Sequence, residues 1–345
     1  MQEAIQITRA PKLIPRSHSL YEQKATASEQ EFLECARRFP ELAGRWDSWD
    51  WEKVFWDYHL AEILFKAEPM DYLKYQFYEL THSQWGAFLT RRQYAELCAT
   101  YNRVEDVAVI TNKTLFTRKY AELLGRVTLT AVSENYPQFE VMCAKYKKLM
   151  IKPNAGGYGR GIRIIDTDKR DIIWREAQEH HCIFEELIEQ HSLMALPHPS
   201  SVNTVRLVVL ITPKGQSKIF AAVFRCGRGG AIKDNDNGLF AAVNIDSGEI
   251  CTPAMSHFGE RFHCHPDTGY RFKGIYLPFW EKLRSRAQYL AGILPGLRIM
   301  NWDWALRADG QWILIEGNVG GGFGPCQEAA GKGLRLQVES ILRSG

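Results

Sequence analysis

Three groups of residues have the types and spacing for chemistry. The first is KPNAGGYGRG, Lys152 to Gly161, where a lysine precedes a run of glycines between the apolar runs LMI at 149–151 and GIRIID at 161–166. Apolar runs on both sides make this a strand-to-strand turn. Glycine N–H groups, unobstructed by Cβ atoms, can meet an anion there while Lys152 adds a fixed positive charge, which suits a phosphate chain. The residue order is not that of a P-loop, and a dinucleotide fingerprint needs a helix where the second strand stands. Taken alone, the stretch is equally a glycine hairpin with a solvated lysine.

The second group is Asp303 in NWDWAL with Glu316 and Asn318 in LIEGN, thirteen and fifteen positions later. The turn signal RADG at 307–310 separates the two apolar runs, so they read as a hairpin, with Glu316 and Asn318 on one face of the second strand. Carboxylates on an apolar sheet face need a partner, and these oxygen-bearing side chains suit Mg2+, which takes one or two carboxylates together with phosphate oxygens and water. The third group is Arg206 and Arg225, each inside an apolar strand on consecutive strands. Singly, each closes an internal ion pair; together they point to an anion.

The elements that position these groups follow from periodicity. Strands are expected at 127–132, 149–153, 161–166, 182–187, 203–211, 218–226, 239–246, 297–306 and 311–318, with helices at 134–145, 169–179, 278–292 and 327–342. TNKTLFTRKYAELLG at 111–125 reads as one helix capped by Asn112 and ended by Gly125. Several adjacent strands joined by short turns indicate an α+β fold rather than a doubly wound parallel sheet. Before residue 103 the chain is helical: Trp51, Val54, Phe55 and Tyr58 share one stripe, and Thr90 with Gln93 forms a capping box. The first 20 residues read as an arm.

Composition excludes several classes. A net charge of +3 from 43 basic and 40 acidic residues, without a long run of one sign, gives no field for nucleic acid. No apolar run approaches the roughly 20 residues of a membrane span, and the start lacks the apolar core of a signal peptide. Membrane insertion is therefore not expected, and a cytoplasmic location is. Eight cysteines without a CxxC pair fit reduced thiols, and His263-Cys264-His265 lacks the second ligand pair of a zinc site.

Taken in order, a lysine with a glycine-rich hairpin, a glutamate-led hinge and a D…ExN trio resemble the ATP-grasp superfamily over about residues 111–330. SVNTVR at 201–206, Asp234, Asn235 and Gly238, HPDTG at 265–269 and DYLKYQFYEL at 71–80 are similar to its sugar-transfer associated branch. The resemblance implies an ATP-grasp fold of two α+β subdomains around a nucleotide, at 111–188 and 189–345, behind a helical domain at 21–110. It also implies that ATP lies against Lys113, Lys152 and the loop of Gly156, Gly157, Tyr158, Gly159 and Gly161. Glu185, Glu186, Leu187 and Ile188 would form the adenine-side hinge, with Glu189 a ribose candidate and Asn203 a further nucleotide contact. Asp303, Glu316 and Asn318 would hold magnesium, two ions by that likeness, while Arg206 and Arg225, with Lys152, would act on the γ-phosphate or a substrate carboxylate.

The activity so implied is an ATP-dependent carboxylate–amine ligase working through an acylphosphate in surface polysaccharide or specialised metabolite biosynthesis. Its partners would be a small or glycan-linked carboxylate and an amine, with a homodimer left open. The alternatives are a kinase of a sugar or other small molecule, using the same nucleotide site, and a non-catalytic nucleotide-binding partner of a glycan assembly system.

Overall fold

Alternation along Lys148–Pro153 sets up the first of two sheets. Leu149 and Ile151 turn inward, 0% and 1% exposed, so Met150 and Lys152 take the opposite face. The computed structural model describes residues 26–43, 45–154, 161–231, 238–320 and 323–343. Its four-stranded sheet is made of β1 (Thr128–Thr130), β2 (Lys148–Pro153), β3 (Arg163–Asp166) and β4 (Cys182–Glu186), in the order β1-β4-β2-β3. All of its pairings are antiparallel. Helices Tyr136–Lys145 and Arg170–Glu179 cover the inner face around Phe139, Trp174 and Phe184, which leaves the Met150 and Lys152 face uncovered by helix. At the end of the β2–β3 hairpin, Gly161 takes φ +73°, and a Cβ there would meet Pro153 at 2.8 Å, so the turn requires glycine.

The second sheet has seven strands: β5 (Thr204–Ile211), β6 (Ser217–Cys226), β7 (Leu239–Val243), β8 (Ala254–Ser256), β9 (Arg261–Phe262), β10 (Ile299–Leu306) and β11 (Trp312–Asn318). Their order is β11-β10-β5-β6-β7-β8-β9. One face packs Val205, Leu207, Trp302 and Trp304 against Phe116, Tyr120 and helix Trp280–Ala291. The other packs Val208, Leu210 and Val223 against Tyr94, Cys98, Phe323 and Val338 from three helices. With helices on both faces, the central strands β5 and β10 are apolar apart from Thr204, Arg206, Asn301 and Asp303.

The N-terminal helices form their own aromatic core from Phe32 to Phe88. Helix Trp51–Phe65 buries Trp51, Val54, Phe55 and Tyr58, the stripe its spacing predicts, and Thr90 with Gln93 caps helix Arg91–Tyr101. Helices Arg91–Tyr101 and Val104–Thr111 pack on the seven-stranded sheet instead, so by packing the last part of the 21–110 region belongs with that sheet. Asn102 fixes the junction by exchanging two hydrogen bonds of 2.9 Å with the backbone of Ile299.

Two helices differ from expectation. The 111–125 segment breaks at Tyr120 into Lys113–Lys119 and Ala121–Leu124, although Asn112 caps it and Gly125 ends it as anticipated. The C-terminal helix is two, Phe323–Ala330 and Arg335–Arg343, because Gly331 turns left-handed at φ +62°. β8 and β9, of three and two residues, are too short to show an alternation.

Gly333 lies against the backbone of Ala87, where an added Cβ would meet the carbonyl carbon and oxygen at 2.2 Å. Backbone cannot rotate aside as a side chain can. Gly333→Ala is expected to destabilise the protein by about 1–3 kcal/mol through overpacking, measured as a lower urea midpoint.

Candidate active site

Register builds one half of the site. Glu316 on β11 lies opposite Asp303 on β10, and Asp303 lies opposite Arg206 on β5, so the three form one row on one face of the sheet. Arg206 Nε and Nη2 donate to the two oxygens of Asp303, each at 2.7 Å, and Arg225 Nη1 donates to Oδ2 at 3.2 Å. Asn318, two residues beyond Glu316, donates to Glu316 Oε1 at 3.0 Å and to Asp303 Oδ2 at 3.3 Å. The two carboxyls are shifted in opposite directions. Burial alone would push Asp303 up, but the Arg206 guanidinium, helped by Arg225, holds it below the ordinary carboxylate range. Burial and the neighbouring Asp303 charge raise Glu316.

The other half comes from the four-stranded sheet. Lys152 Nζ lies 2.6 Å from Glu185 Oε2, and Arg126 grips the same carboxylate through Nε at 2.9 Å and Nη2 at 3.1 Å. Arg126 also donates from Nη1 to the carbonyl of Leu314 at 2.7 Å and from Nη2 to that of Ile315 at 3.3 Å. One guanidinium thus ties β4 of the small sheet to β11 of the large one. Burial disfavours the Glu185 charge, yet Arg126 and Lys152 pull its carboxyl down to about 2. Lys113 donates to the carbonyl of Asn154 at 3.4 Å, and burial lowers its pKa while Glu316 opposes that shift.

Between the halves lies a cleft of about 330 Å³ whose walls include Lys152, Glu185, Asp303 and Glu316. Met150, Ile164, Leu187, Ile188 and Ile315 give it an apolar end, and Glu186 joins them. Gly156, Gly157, Tyr158 and Gly159 lie outside the described residues, as do Asp234 and Asn235. The structure does not bring Glu189 into the cleft wall: its side chain is exposed and its carbonyl accepts from Ala308 N at 2.9 Å. Its neighbour Gln190 lines the cleft instead. Asn203 is also outside the wall and is fully buried, with its amide donating to the carbonyls of Met194 at 2.8 Å and His198 at 3.1 Å. Its role in the structure is to staple a loop, because no donor is left over for a ligand.

Sequence reasoning missed Arg126 and Gln190. The only signal for Arg126 is an arginine directly after the helix-ending Gly125, a position where basic residues commonly do no more than meet water. Among the described residues no group of three or more His, Cys, Asp and Glu gathers as a metal cluster, which includes the His263–His265 stretch. The Asp303, Glu316 and Asn318 set nevertheless fits a divalent cation by its donor chemistry, since register brings two carboxylates together on one sheet face and Asn318 beside them carries an amide oxygen.

Residues 92–343, well over half of the chain, match the family described as sugar-transfer associated ATP-grasp. The chain belongs to that family. Among solved structures, D-alanyl-alanine synthetase A from Vibrio cholerae O1 biovar eltor is 12% identical, with a TM-score of 0.45 over 70% of this chain and 66% of that one. The ADP complex of N5-carboxyaminoimidazole ribonucleotide synthetase is 12% identical, with a TM-score of 0.44 over 68% of this chain and 52% of that one. D-cycloserine synthetase DcsG is 11% identical, with a TM-score of 0.42 over 80% of this chain and 82% of that one. The ATP-grasp chain thus spans about half (52%) of the length of the first solved structure it matches. Among curated proteins, none matches.

The Arg126–Glu185 pair of this ATP-grasp chain has a pH signature. A carboxyl whose folded pKa falls from 4.5 to about 2 contributes stability that is complete above the unfolded value and is lost as pH drops through that window. Urea midpoints of the unmodified protein should therefore fall more between pH 5 and pH 2 than those of Glu185→Gln, the pH limits being about those of the window. At neutral pH, Glu185→Ala leaves Arg126 buried without its partner and should cost about 3–5 kcal/mol.

Proposed function

We propose that the protein is an ATP-dependent carboxylate–amine ligase. The observation that carries the reading is the cleft itself, where Lys152 and Glu185 from one sheet face Asp303 and Glu316 from the other across an apolar slot. In this reading adenine lies among Met150, Ile164, Leu187 and Ile188, with Glu185 and Glu186 leading the strand into that hinge. The phosphates run towards Lys152 and Lys113.

Glu316 and Asn318 would hold Mg2+ together with Asp303, whose Oδ1 accepts from Arg206 Nε. Magnesium supplies charge neutralisation on the phosphate chain when bound. The rest falls to the chain's own residues. Lys152 and Lys113 offset phosphate charge, and the cleft walls hold the reactants in line and keep water out. A substrate carboxylate oxygen attacks the γ-phosphorus and ADP leaves. An amine then displaces phosphate from the acylphosphate to form the amide. In this reading Arg206 and Arg225 would supply the donor that the oxyanion of that second step needs. A glycan-linked or small acid and an amine are the substrate classes, in keeping with the family's sugar-transfer association, and the setting proposed is the cytoplasm.

The test is stoichiometric. ADP and inorganic phosphate should appear only when an acid and an amine are both present, with a product mass equal to the sum of the two less water. A product heavier by one phosphate would instead establish a kinase. Glu316→Ala should lower turnover by about a thousandfold or more, on the order of losing a principal electrostatic contact in a transition state. Turnover within a few fold of the unmodified protein would remove the reading.

A further inference from the structure

The stretches Ser201–Arg206 and His265–Gly269 have work in the structure beyond the cleft chemistry. Ser201 Oγ donates to Asn203 Oδ1 at 2.7 Å, accepts from Gly227 N at 3.1 Å and lies 2.9 Å from His198 Nδ1. A hydroxyl has one proton, and here Asn203 takes it, so His198 Nδ1 must carry hydrogen and donate. His265 is stacked on His198 with ring centroids 5.6 Å apart and an interplanar angle of 29°. It accepts from Asp267 N at 3.2 Å through Nδ1, which leaves Nε2–H to donate to the Gly227 carbonyl at 2.8 Å. Asp267 Oδ2 in turn accepts from Gly229 N at 2.6 Å and stands 3.8 Å from His198 Nε2.

The core of this knot is closed to water, with His198, Ser201, Asn203 and His265 3%, 4%, 0% and 1% exposed, while Asp267 reaches the surface. A donor or acceptor lost from it cannot be replaced by solvent. It joins two functional surfaces. Pro199, Ser200, Ser201 and Val202 are wall of the cleft, and Gly227 opens the loop that follows Arg225, the residue reaching Asp303. QHSLMALPHP at 190–199, the stretch that intervenes between hinge and NTVR, is what supplies His198.

We propose that His198 is a positioning residue: its Nδ1–H, acting through Ser201, sets the nucleotide-side wall Pro199–Val202 against the Gly227–Gly230 loop. The inference rests on the ligase reading for the identity of the ligand in the cleft. It gives the 190–199 stretch a purpose, namely to bring a rigid, two-nitrogen side chain to a place where a hydroxyl has one acceptor site left.

The test compares His198→Asn, His198→Gln and His198→Ala in the full chain. The asparagine amide can stand where Nδ1–H stands; the glutamine amide reaches the Nε2 side. KM for ATP, kcat, Mg·ADP affinity by calorimetry and the melting temperature are measured for each. His198→Gln and His198→Ala should weaken Mg·ADP binding and raise KM for ATP by about tenfold, the scale of one buried hydrogen bond, with kcat nearly unchanged. His198→Asn should recover most of that loss. Should His198→Ala fail to fold, the asparagine and glutamine pair decides alone. Equal binding by Asn and Gln variants, or a lower melting temperature with unaltered KM, would reduce His198 to a structural residue and overturn the inference. An unmodified protein that binds no Mg·ADP would overturn the ligase reading and this inference with it, whereas normal binding in every variant overturns this inference alone.

Discussion

A guanidinium withdrawn from water between two sheets is the constraint around which the cleft is organised. The Arg126 side chain is 2% exposed, and burying such an ion costs several kcal/mol unless its donors are matched. They are matched by one carboxylate on β4 and by carbonyls on β11, elements from different sheets. Shifting either sheet by an ångström would break several of these hydrogen bonds together, so the separation of the cleft walls is fixed by the same contacts that neutralise the charge. Lys152 shares the Glu185 carboxylate, and it therefore faces the opposite sheet already oriented and not fully compensated. Counting Lys113, Arg126, Lys152, Arg206 and Arg225 against Glu185, Glu186, Asp303 and Glu316 leaves one positive charge in excess around the cleft among the described residues. That is the sign a phosphate chain requires.

The opposite sheet makes a complementary arrangement from a single cross-strand row. Asp303 and Glu316 are neighbours on that row, yet one is pulled down and the other pushed up. The reason is the order of the strands: β5 brings Arg206 to the Asp303 side, whereas β11 is the edge strand and has no further strand from which a cation could reach Glu316. Compensation at Glu316 must come from across the cleft or from a bound cation. The edge position, which leaves a strand unpaired on one side, is what opens this carboxylate to a ligand at all.

Much of this was legible in the sequence because polar residues inside apolar strands are expensive without a partner. Lys152, Arg206, Asp303, Glu316 and Asn318 all stand out on that ground, and the strands carrying them fall within a residue or two of expectation. Arg126 did not stand out, since its partners are a carboxylate 59 positions away and carbonyls 188 and 189 positions away. Asn203 shows the converse. An asparagine leading into the strand that bears Arg206 reads as a ligand contact, and only the placement of Met194 and His198 reveals that its amide is fully engaged in holding the loop. Glu189 and Gln190 differ by one position where the backbone leaves the strand, and which of the two turns into the cleft depends on Gln190 clasping the backbone of Asn203, at 2.6 Å and 3.1 Å.

The helical region before residue 89 is bonded into this machinery rather than appended to it. Gln327, fully buried, accepts from Leu89 N at 2.9 Å and Leu334 N at 3.0 Å and donates to the Leu89 carbonyl at 3.0 Å. At the next position of the same helix, Glu328 meets Lys74 at 3.4 Å, and burial raises its carboxyl while Lys74 opposes that shift. The helix carrying both residues begins five positions after Asn318, a separation the chain can stretch to no more than about 17 Å. Displacing the helical region would therefore strain the strand end that carries Asn318 and Glu316. A domain attached in this way acts as a buttress for the edge strand, supplying from behind the rigidity that β11 lacks for want of a second neighbouring strand.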